Sequence, residues 1–300
     1  MQHDYAILDV FTQDRYAGNP LAVVFDADDF STELCRKVAA EFNLSETVFV
    51  AKASKPAHSA AIRIFTPASE LPFAGHPTVG AAIMIARSRW PEASEQSGIV
   101  VLEEKIGTVR VGVTLGGKRG DFAEFDIPKV PKPVDLDLDR DRVAASLGIE
   151  PKEIGFENHK MSAWSAGVPY AYIPVRDLDV LRRCKVDLAA FENTFAGSGH
   201  AYVYCRETFS QRNDFHARMF APPLGVLEDP ATGSAAAGFS AVLMQFDQPP
   251  AGEHRYAIEQ GHIMGRPSII DVELVIEGGR MHTVRIGGSA VVVATGSLTI

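Results

Sequence analysis

The chain has 300 residues, of which 46% are hydrophobic and 22% charged, a composition typical of a globular protein. A chain of this length forms either one large domain or two lobes of ordinary size. The formal net charge of −9 argues against nucleic acid or an anionic membrane surface as the main partner. It does not exclude a small anion bound by local N–H groups.

The cysteines and the first residues limit the remaining classes further. Cys35, Cys184 and Cys205 are far apart in the sequence and form no C-x-x-C pattern, so they predict neither a disulfide framework nor a thiolate metal site. The start of the chain lacks a basic segment followed by a long apolar run, and no stretch reaches the ~18 apolar residues of a membrane-spanning helix. We therefore expect a cytoplasmic protein.

The first half of the chain predicts strands alternating with helices. A helix is expected at residues 31–42, where Ser31 is a suitable N-cap and Asn43 a stop signal. Glu46 comes directly before an apolar strand. The predicted strands lie at residues 5–11, 21–25, 47–51 and 62–66, and a β-hairpin is predicted at residues 99–115.

Two similar stretches, residues 63–82 and 218–238, organise the sequence. The matched positions of the first are Arg63, Phe65, Pro67, Glu70, Pro72, Gly75 and Gly80, and those of the second are Arg218, Phe220, Pro222, Glu228, Pro230, Gly233 and Gly238. Earlier in each half, Gly18-x-Pro20-x-Ala22 is matched by Gly167-x-Pro169-x-Ala171. Similarity at this spacing indicates duplication of a whole lobe.

Each copy predicts a strand, a loop rich in proline and glycine, and a buried helix that begins at a glycine turn. The first helix is expected from about His76 onward and the second around residues 235–243. The first N–H groups of such helices have no intrahelical partner, so two helix starts could bind an anion. Alternatively, the glycines serve only to let the helices pack closely.

The second half repeats the order of the first after a crossing at residues 128–133, which contain three prolines. A mainly helical segment is predicted at residues 178–195, and a short helix at 141–147. Further strands are predicted at residues 169–175, 201–205, 255–258, 269–276, 283–286 and 290–295. We expect the last strand to return to the first lobe. In this register Glu46 falls opposite His200.

Glu46 is the leading candidate for chemistry. Between a helix end and an apolar strand, its carboxyl group could lie at a buried position, where desolvation raises a carboxyl pKa. A carboxyl group tuned in this way can accept and return one proton. The alternative is that Glu46 is a surface glutamate before a strand.

Three further polar residues lie in the glycine turns. His76 can donate to an anion or move protons near neutral pH, or it can simply bind a carbonyl group. Asp229 precedes Pro230 in the second copy, where it can orient His76 or ligand N–H groups, or cap the helix. Ser234 matches His76 in the repeat and can donate to an anion, although serines also open many helices.

Several familiar sites are absent from the sequence. It contains no complete dinucleotide fingerprint, no P-loop, no H-E-x-x-H pair and no G-x-S-x-G elbow. Its nine histidines are scattered and do not predict a metal site. Proton chemistry that needs neither cofactor nor metal is the remaining interpretation.

Several motifs together strongly resemble the PhzF family of phenazine biosynthesis-like isomerases, which have the diaminopimelate-epimerase fold. The similarity extends from about residue 5 to the C-terminus. Its motifs are Gly18-Asn19-Pro20, Ser45-Glu46-Thr47, Phe65-Thr66-Pro67, the runs at residues 71–78 and 228–235, and Gly265-Arg266-Pro267-Ser268.

The resemblance implies an α/β (α+β) fold of two pseudo-symmetric lobes, each with a curved, mostly antiparallel sheet around a central helix. The expected lobes are residues 1–128 with the strand 287–300, and residues 129–286. It also implies Glu46 as the general acid/base, with His76 and Asp229 as further catalytic residues. Asn19, Gly75, Gly233 and Ser234 are expected to bind the substrate.

The implied function is a cofactor-independent isomerase that moves a proton on a small cyclic or amino carboxylic acid. Family resemblance also implies a homodimer. Two alternatives remain: a non-catalytic protein that binds small anions, and an epimerase or racemase of different mechanism. The related racemases use one cysteine on each lobe, whereas neither glycine turn of this chain contains a cysteine.

Overall fold

The computed structural model describes residues 2–91 and 94–300, without the side chain of Leu224. The chain forms two compact units, Met1–Asp126 with Gly287–Ile300, and Ile127–Ile286. None of the helices in the described residues is long and apolar enough to cross a bilayer.

In its described residues, the first unit contains eight strands and two helices before the chain enters the second unit. The strands are β1 (Gln2–Val10), β2 (Asn19–Val24), β3 (Glu46–Ala51), β4 (Ala60–Phe65), β5 (Glu70–Leu71), β6 (Gln96–Glu104), β7 (Gly107–Gly117) and β8 (Gly120–Asp126). The helices are α1 (Thr32–Phe42) and α2 (Gly75–Arg89).

The second unit follows the same plan. Its helices are α3 (Arg140–Leu147), α4 (Leu178–Arg183), α5 (Leu188–Thr194) and α6 (Gly233–Val242). Its strands are β9 (Lys132–Pro133), β10 (Ser162–Ser165), β11 (Pro169–Pro174), β12 (Ala201–Cys205), β13 (Phe215–Ala221), β14 (Val226–Asp229), β15 (Gly252–Gln260) and β16 (Ser268–Glu277). The last strand, β17 (Arg280–Thr299), begins in this unit and ends in the first, where it pairs with β1.

The order of strand pairings is the same in the two units. In the first, β1–β2 is antiparallel, β2–β3 parallel, β3–β4 antiparallel, β4–β6 parallel and β6–β7 antiparallel. In the second, β10–β11, β11–β12, β12–β13, β13–β15 and β15–β16 repeat this alternation. The duplication seen in the sequence is therefore a duplication of sheet topology.

One buried helix forms the centre of each unit. Helix α2 packs against β1, β2, β3, β6, β7 and β8, and α6 packs against β10, β11 and β16. Small residues dominate both helices, and neither has a polar face. This is the pattern expected of a helix that is surrounded by the sheet of its own unit.

Two matched residues of the repeat form the same ion pair in each unit. Arg63 donates from Nε and Nη2 to the two carboxylate oxygens of Glu70, at 2.8 and 3.2 Å. Arg218 binds Glu228 in the same bidentate way, at 2.8 Å for both contacts. Each arginine thus ties the long strand of its copy to the short strand that leads to the central helix.

A second duplicated contact involves Glu103 and Glu259. Glu103 accepts hydrogen bonds from the backbone N–H groups of Ser54 and Lys55, and Glu259 accepts them from those of Phe209 and Ser210. Each carboxylate therefore fixes the loop between the third and fourth long strands of its unit.

Most predicted elements are confirmed, including the Ser31 cap, which accepts from the N–H group of Leu34, and the stop at Asn43, which is left-handed with φ 51°. The prediction of separate strands at 283–286 and 290–295 is wrong, because β17 runs through both. Gly287 keeps the strand continuous at a crowded point, where a Cβ atom would lie 2.8 Å from Cβ of Glu124.

The prediction of one mainly helical segment at 178–195 is corrected to two helices. Arg218 donates from Nη1 to the carbonyl oxygens of Leu181 and Cys184, which satisfies the end of α4. Asp187 then caps α5 by accepting from the N–H group of Ala190. Five strands of the structure were not predicted from the sequence: the two-residue strands β5 and β9, and β8, β10 and β14, which contain polar residues or glycine that weaken the strand pattern.

Candidate active site

Helix α2 begins without a side-chain cap. Its N-cap residue, Ala74, offers no side-chain acceptor, and the backbone N–H groups of Gly75 and His76 donate to no acceptor among the described residues. Pro77, the next residue, has no N–H group. The start of α2 is therefore a positive helix end with two N–H groups available to an anion.

The same is true of α6 in the second unit. Its N-cap, Thr232, makes no capping hydrogen bond from its side chain. In contrast, α1, α3, α4 and α5 each have a serine or aspartate whose side chain caps the helix: Ser31, Asp139, Asp177 and Asp187. Uncapped starts thus distinguish the two central helices from the four other α-helices in the described part of the chain.

Glu46 and His76 lie together at the start of α2. Glu46 is the first residue of β3 and pairs in register with Leu21 of the parallel strand β2. Its Oε2 lies 3.4 Å from Nε2 of His76. The side chains are 17% and 6% exposed, so both are largely withdrawn from solvent.

The His76 ring is electrically neutral at physiological pH. Burial lowers the pKa of His76 to about 3, because a charged imidazolium would lose its hydration. The contact between Glu46 and His76 is therefore not an ion pair near neutral pH. Nε2 of His76 makes no hydrogen bond to a described residue in this arrangement, so the pair is a close contact. A neutral imidazole also does not hold the carboxylate ionised by charge.

Asn19, a predicted substrate-binding residue, lies at the same strand end as Glu46. It is the first residue of β2 and is fully buried. Leu21 of β2 pairs with Glu46 of the parallel strand β3, and Asn19 lies two residues before Leu21 on β2. The structure thus brings Asn19, Glu46, Gly75 and His76 into the same unit, with direct contact established for Glu46 and His76.

In the second unit, the predicted residues Asp229, Gly233 and Ser234 lie around the start of α6. Asp229 ends β14 and accepts a 2.5 Å hydrogen bond from the hydroxyl group of Thr232 through Oδ2. Gln260 donates from Nε2 to the carbonyl oxygen of Asp229 at 2.7 Å and to Oγ1 of Thr232 at 3.0 Å. These bonds fix the turn that leads into α6.

Ser234 has a protein partner that the sequence analysis missed. Its hydroxyl oxygen lies 2.7 Å from the hydroxyl oxygen of Tyr170, on β11. The Tyr170 ring lies 4.7 Å from that of His200, measured between centroids. The matched Gly18-x-Pro20 and Gly167-x-Pro169 motifs could have indicated Tyr170, because they place it opposite Leu21 in the repeat.

The strand registers support the equivalence of Glu46 and His200. Thr47 pairs with Ala22 in the first unit, as Ala201 pairs with Ala171 in the second. The residue before each of these strand positions is Glu46 or His200. Burial lowers the pKa of His200, so this position carries a carboxyl group in one unit and a neutral imidazole in the other.

Among the described residues, two groups of side chains have the residue types of metal ligands, but their carboxylates already have protein donors. Glu259 belongs to the group with His216 and His262. Its two carboxylate oxygens accept hydrogen bonds from two backbone N–H groups, from the side-chain amide of Asn213 and from the ring of His216. Burial alone would raise its pKa, but these hydrogen bonds outweigh burial and lower it to about 2. Asp247, in the group with Glu157 and His159, binds the guanidinium group of Arg206 at 2.6 Å.

The three thiols are placed in cores and not in either glycine turn. Burial raises the pKa of Cys35 to about 11 and that of Cys184 and Cys205 to about 12. All three therefore stay protonated near neutral pH, whereas a thiolate is the reactive form. None of the three cysteines is therefore placed or ionised as cysteine-based racemisation would require.

Comparison with known proteins agrees with these features. The family model described as phenazine biosynthesis-like protein matches residues 8–296. The chain belongs to the PhzF family. It is therefore an isomerase of the PhzF type.

Relatives of known sequence include a protein of Mesorhizobium japonicum described as an uncharacterized isomerase, which is 49% identical over 99% of each chain. The trans-2,3-dihydro-3-hydroxyanthranilate isomerase of Pseudomonas chlororaphis is 32% identical over 99% of this chain and 100% of its own. Both relatives of this PhzF-family chain are thus matched along their whole length.

Solved structures confirm the predicted fold class. A PhzF-family phenazine biosynthesis protein of Bacillus anthracis superposes with a TM-score of 0.88 at 25% identity, and each chain is covered completely. A hydroxyproline epimerase of Agrobacterium vitis superposes with a TM-score of 0.64 at 14% identity, over 99% of this chain and 92% of its own. The latter similarity concerns the fold alone.

Proposed function

We propose that this PhzF-family isomerase moves a proton between two carbon atoms of a small cyclic carboxylic acid, with Glu46 as the general acid/base. The observation that carries the proposal is the contact of Glu46 with a neutral His76 at an uncapped helix start. The site combines a group that can exchange a proton with donors that can hold a carboxylate.

The electrostatic properties of these groups suggest a different role for each. Because His76 stays neutral, it competes little with Glu46 for the proton and serves to orient the carboxyl group. The N–H groups of Gly75 and His76 would bind the substrate carboxylate, which is stabilised near a helix N-terminus by roughly 0.3 to 2 kcal/mol. Binding of the substrate would also remove the remaining water from the 17% exposed Glu46 side chain.

The reaction proposed for Glu46 is balanced in atoms and charge. The ionised carboxylate takes a proton from one ring carbon, and the electrons of the broken C–H bond shift through the adjacent double bonds. The carboxylic acid so formed then returns a proton to a different ring carbon. A positioned acid/base of this kind contributes roughly 10²- to 10⁴-fold in rate.

The relative from P. chlororaphis suggests the substrate class. Its name specifies trans-2,3-dihydro-3-hydroxyanthranilate, a partly reduced ring that carries a carboxylate. We infer that the present chain acts on this compound or on a close analogue with a carboxylate and a removable ring proton. Asp229, Gly233, Ser234 and Asn19 are proposed to contribute to binding or catalysis, and a homodimer is proposed as the assembly.

The test is turnover in D₂O with trans-2,3-dihydro-3-hydroxyanthranilate, followed by ultraviolet absorbance and by NMR of the product. Glu46→Gln should retain ligand binding but lower turnover by roughly 10²-fold or more. Glu41→Gln, at an exposed position on the neighbouring α1, is the matched control and should behave as the parent. Retention of turnover by Glu46→Gln within about threefold would contradict the role of Glu46.

The same experiment distinguishes an isomerase from a protein that only binds. Deuterium incorporation into the ligand requires proton exchange at carbon, and a binding protein would show none. If the parent protein binds the ligand without exchange, the catalytic proposal fails for this substrate class.

A further inference from the structure

A buried acid lies directly beneath the start of α2. Glu104 is the last residue of β6 and is 8% exposed. Its Oε1 lies 2.9 Å from the hydroxyl oxygen of Thr78, in the first turns of α2. That hydroxyl oxygen is also 2.8 Å from the carbonyl oxygen of Ala74, the N-cap residue of the same helix.

These two contacts require two hydrogen atoms, and the hydroxyl group of Thr78 supplies only one. If Glu104 were ionised, one of the contacts would bring two acceptors together without a hydrogen between them. If Glu104 is protonated, it donates to Thr78, and Thr78 donates to Ala74. Both hydrogen bonds are then satisfied.

Burial supports the protonated state. Oε2 of Glu104 is buried and has no hydrogen-bond partner among the described residues. An ionised carboxylate in this position would therefore lack compensation for its lost hydration. Burial raises the pKa of Glu104 to about 8, although the hydrogen bond with Thr78 acts in the opposite direction.

Charged groups on neighbouring elements have other partners. His76 on α2 is neutral, and Arg110 on β7 is exposed. Four other cations of this unit have their own partners: Arg63 and Lys105 bind Glu70, Arg87 binds Asp121, and Arg89 binds the carbonyl oxygen of Ser59. The acid next in the strand, Glu103, is bound to His58.

The second unit provides an independent comparison. Gln260 is the last residue of β15, which corresponds to β6, and it follows Glu259 as Glu104 follows Glu103. Gln260 donates from Nε2 to the hydroxyl oxygen of Thr232, the N-cap residue of α6. An uncharged donor thus supports the helix start in the second unit. A carboxyl group can make the equivalent bond only when it is protonated.

We propose that Glu104 is a neutral carboxylic acid that donates to Thr78 and thereby positions the start of α2, including Gly75 and His76. It is a positioning residue, since it acts on the site through Thr78 and Ala74. Its effect on turnover rests on the proposed function, whereas its protonation state can be tested without any substrate.

The first test compares the unfolding of the parent, Glu104→Gln and Glu103→Gln in denaturant from about pH 5 to about pH 9. Between the ordinary carboxyl pKa of 4.5 and about pH 8, a protonated Glu104 makes the folded state hold up to one proton more than the unfolded state. The parent should therefore lose stability relative to Glu104→Gln as the pH rises. Parallel curves for the two proteins would overturn the proposal.

Glu103→Gln is the matched control because Glu103 is the neighbouring acid, and its pKa is shifted in the opposite direction to that of Glu104. Hydrogen bonds, led by that from the N–H group of Ser54, lower the pKa of Glu103 to about 2. The stability difference between Glu103→Gln and the parent should therefore stay constant over the range tested. Infrared spectra offer a second readout: the carbonyl stretch of a protonated carboxyl group should be present near neutral pH in the parent and absent in Glu104→Gln.

The positioning role of Glu104 is tested by asking whether glutamine at this position restores the turnover that alanine removes. Glu104→Ala should lower kcat/KM by roughly tenfold or more, because it removes the donor to Thr78. Glu104→Gln should recover most of this loss and should extend activity to higher pH than the parent. If glutamine restores stability but no turnover, Glu104 is not a positioning residue of this kind. If the parent protein itself shows no turnover, the proposed function fails, while the unfolding and infrared results still decide the protonation state.

Discussion

Oε2 of Glu46 lies 3.4 Å from Nε2 of His76, and burial lowers the pKa of that histidine to about 3. The pair therefore consists of one carboxyl group and one uncharged imidazole near neutral pH. A histidine in this state positions its neighbour more readily than it carries protons itself. Of the roles that the sequence left open for His76, proton transfer is therefore the one that this asymmetry favours least.

His76→Ala is expected to reduce kcat/KM by roughly tenfold, less than Glu46→Gln, because the imidazole only orients the carboxyl group. Steady-state kinetics and ligand Kd values for the two variants, prepared together, provide the comparison. A loss in His76→Ala equal to that in Glu46→Gln, with unchanged ligand affinity, would make His76 a second proton carrier.

The stability of the protein should fall as the pH decreases from about 6.5 toward 3, in part because of His76. The unfolded chain accepts a proton on this imidazole near its ordinary pKa of 6.5, whereas the folded chain resists it. His76→Gln should therefore lose less stability over this range, as measured by chemical unfolding at several pH values. An equal loss in the two proteins would show that His76 ionises normally in the folded state.

Thiol reagents should not inactivate the folded enzyme. Cys35, Cys184 and Cys205 are buried, and their raised pKa values keep them protonated at about pH 7. Iodoacetamide treatment followed by mass spectrometry and an activity assay should show little modification under native conditions and full modification after denaturation. Rapid loss of activity together with labelling of one thiol would instead support a cysteine-dependent mechanism.

Gly238→Ala is expected to destabilise the second unit by about 1 to 3 kcal/mol. A Cβ atom at this position would lie 2.1 Å from the hydroxyl oxygen of Tyr172, which donates to the carbonyl oxygen of Ala235 and is fully buried. The phenol cannot move away without breaking that hydrogen bond.

Gly80→Ala, at the matching position of α2, is the natural control for Gly238→Ala. Its Cβ atom would meet Cδ2 of Leu21 at 2.5 Å and Cγ2 of Val10 at 3.0 Å, and a leucine methyl group can rotate aside. The gain in helix propensity, about 1 kcal/mol, offsets part of the remaining cost. Urea unfolding should therefore rank Gly238→Ala as the less stable variant, and the reverse order would contradict this explanation.

The hydrogen bond between Tyr170 and Ser234 should give a measurable coupling energy of about 1 kcal/mol in a double-mutant cycle. Tyr170→Phe and Ser234→Ala each remove one partner of a 2.7 Å contact in a largely buried setting. Unfolding of both single variants and the double variant supplies the cycle. Additive effects would show that the two hydroxyl groups are independently hydrated.

The sequence by itself determined the duplication, because each copy keeps the residues that build the same local structure. The matched pairs Arg63–Glu70 and Arg218–Glu228 form equivalent bidentate contacts over short separations along the chain. Local chemistry also identified the Ser31 cap and the uncapped helix starts at Gly75 and Gly233. These features depend on neighbours within a few residues, and a pattern can therefore reveal them.

Only the tertiary structure decided which distant side chains meet. The contacts Glu46–His76, Tyr170–Ser234 and Thr78–Glu104 join residues 30, 64 and 26 positions apart. They depend on strand register and on how each central helix packs within its own sheet, since a shift of one residue turns a strand side chain to the opposite face. The burial that keeps His76 uncharged and Glu104 protonated arises from the same packing, so no local pattern could have predicted it.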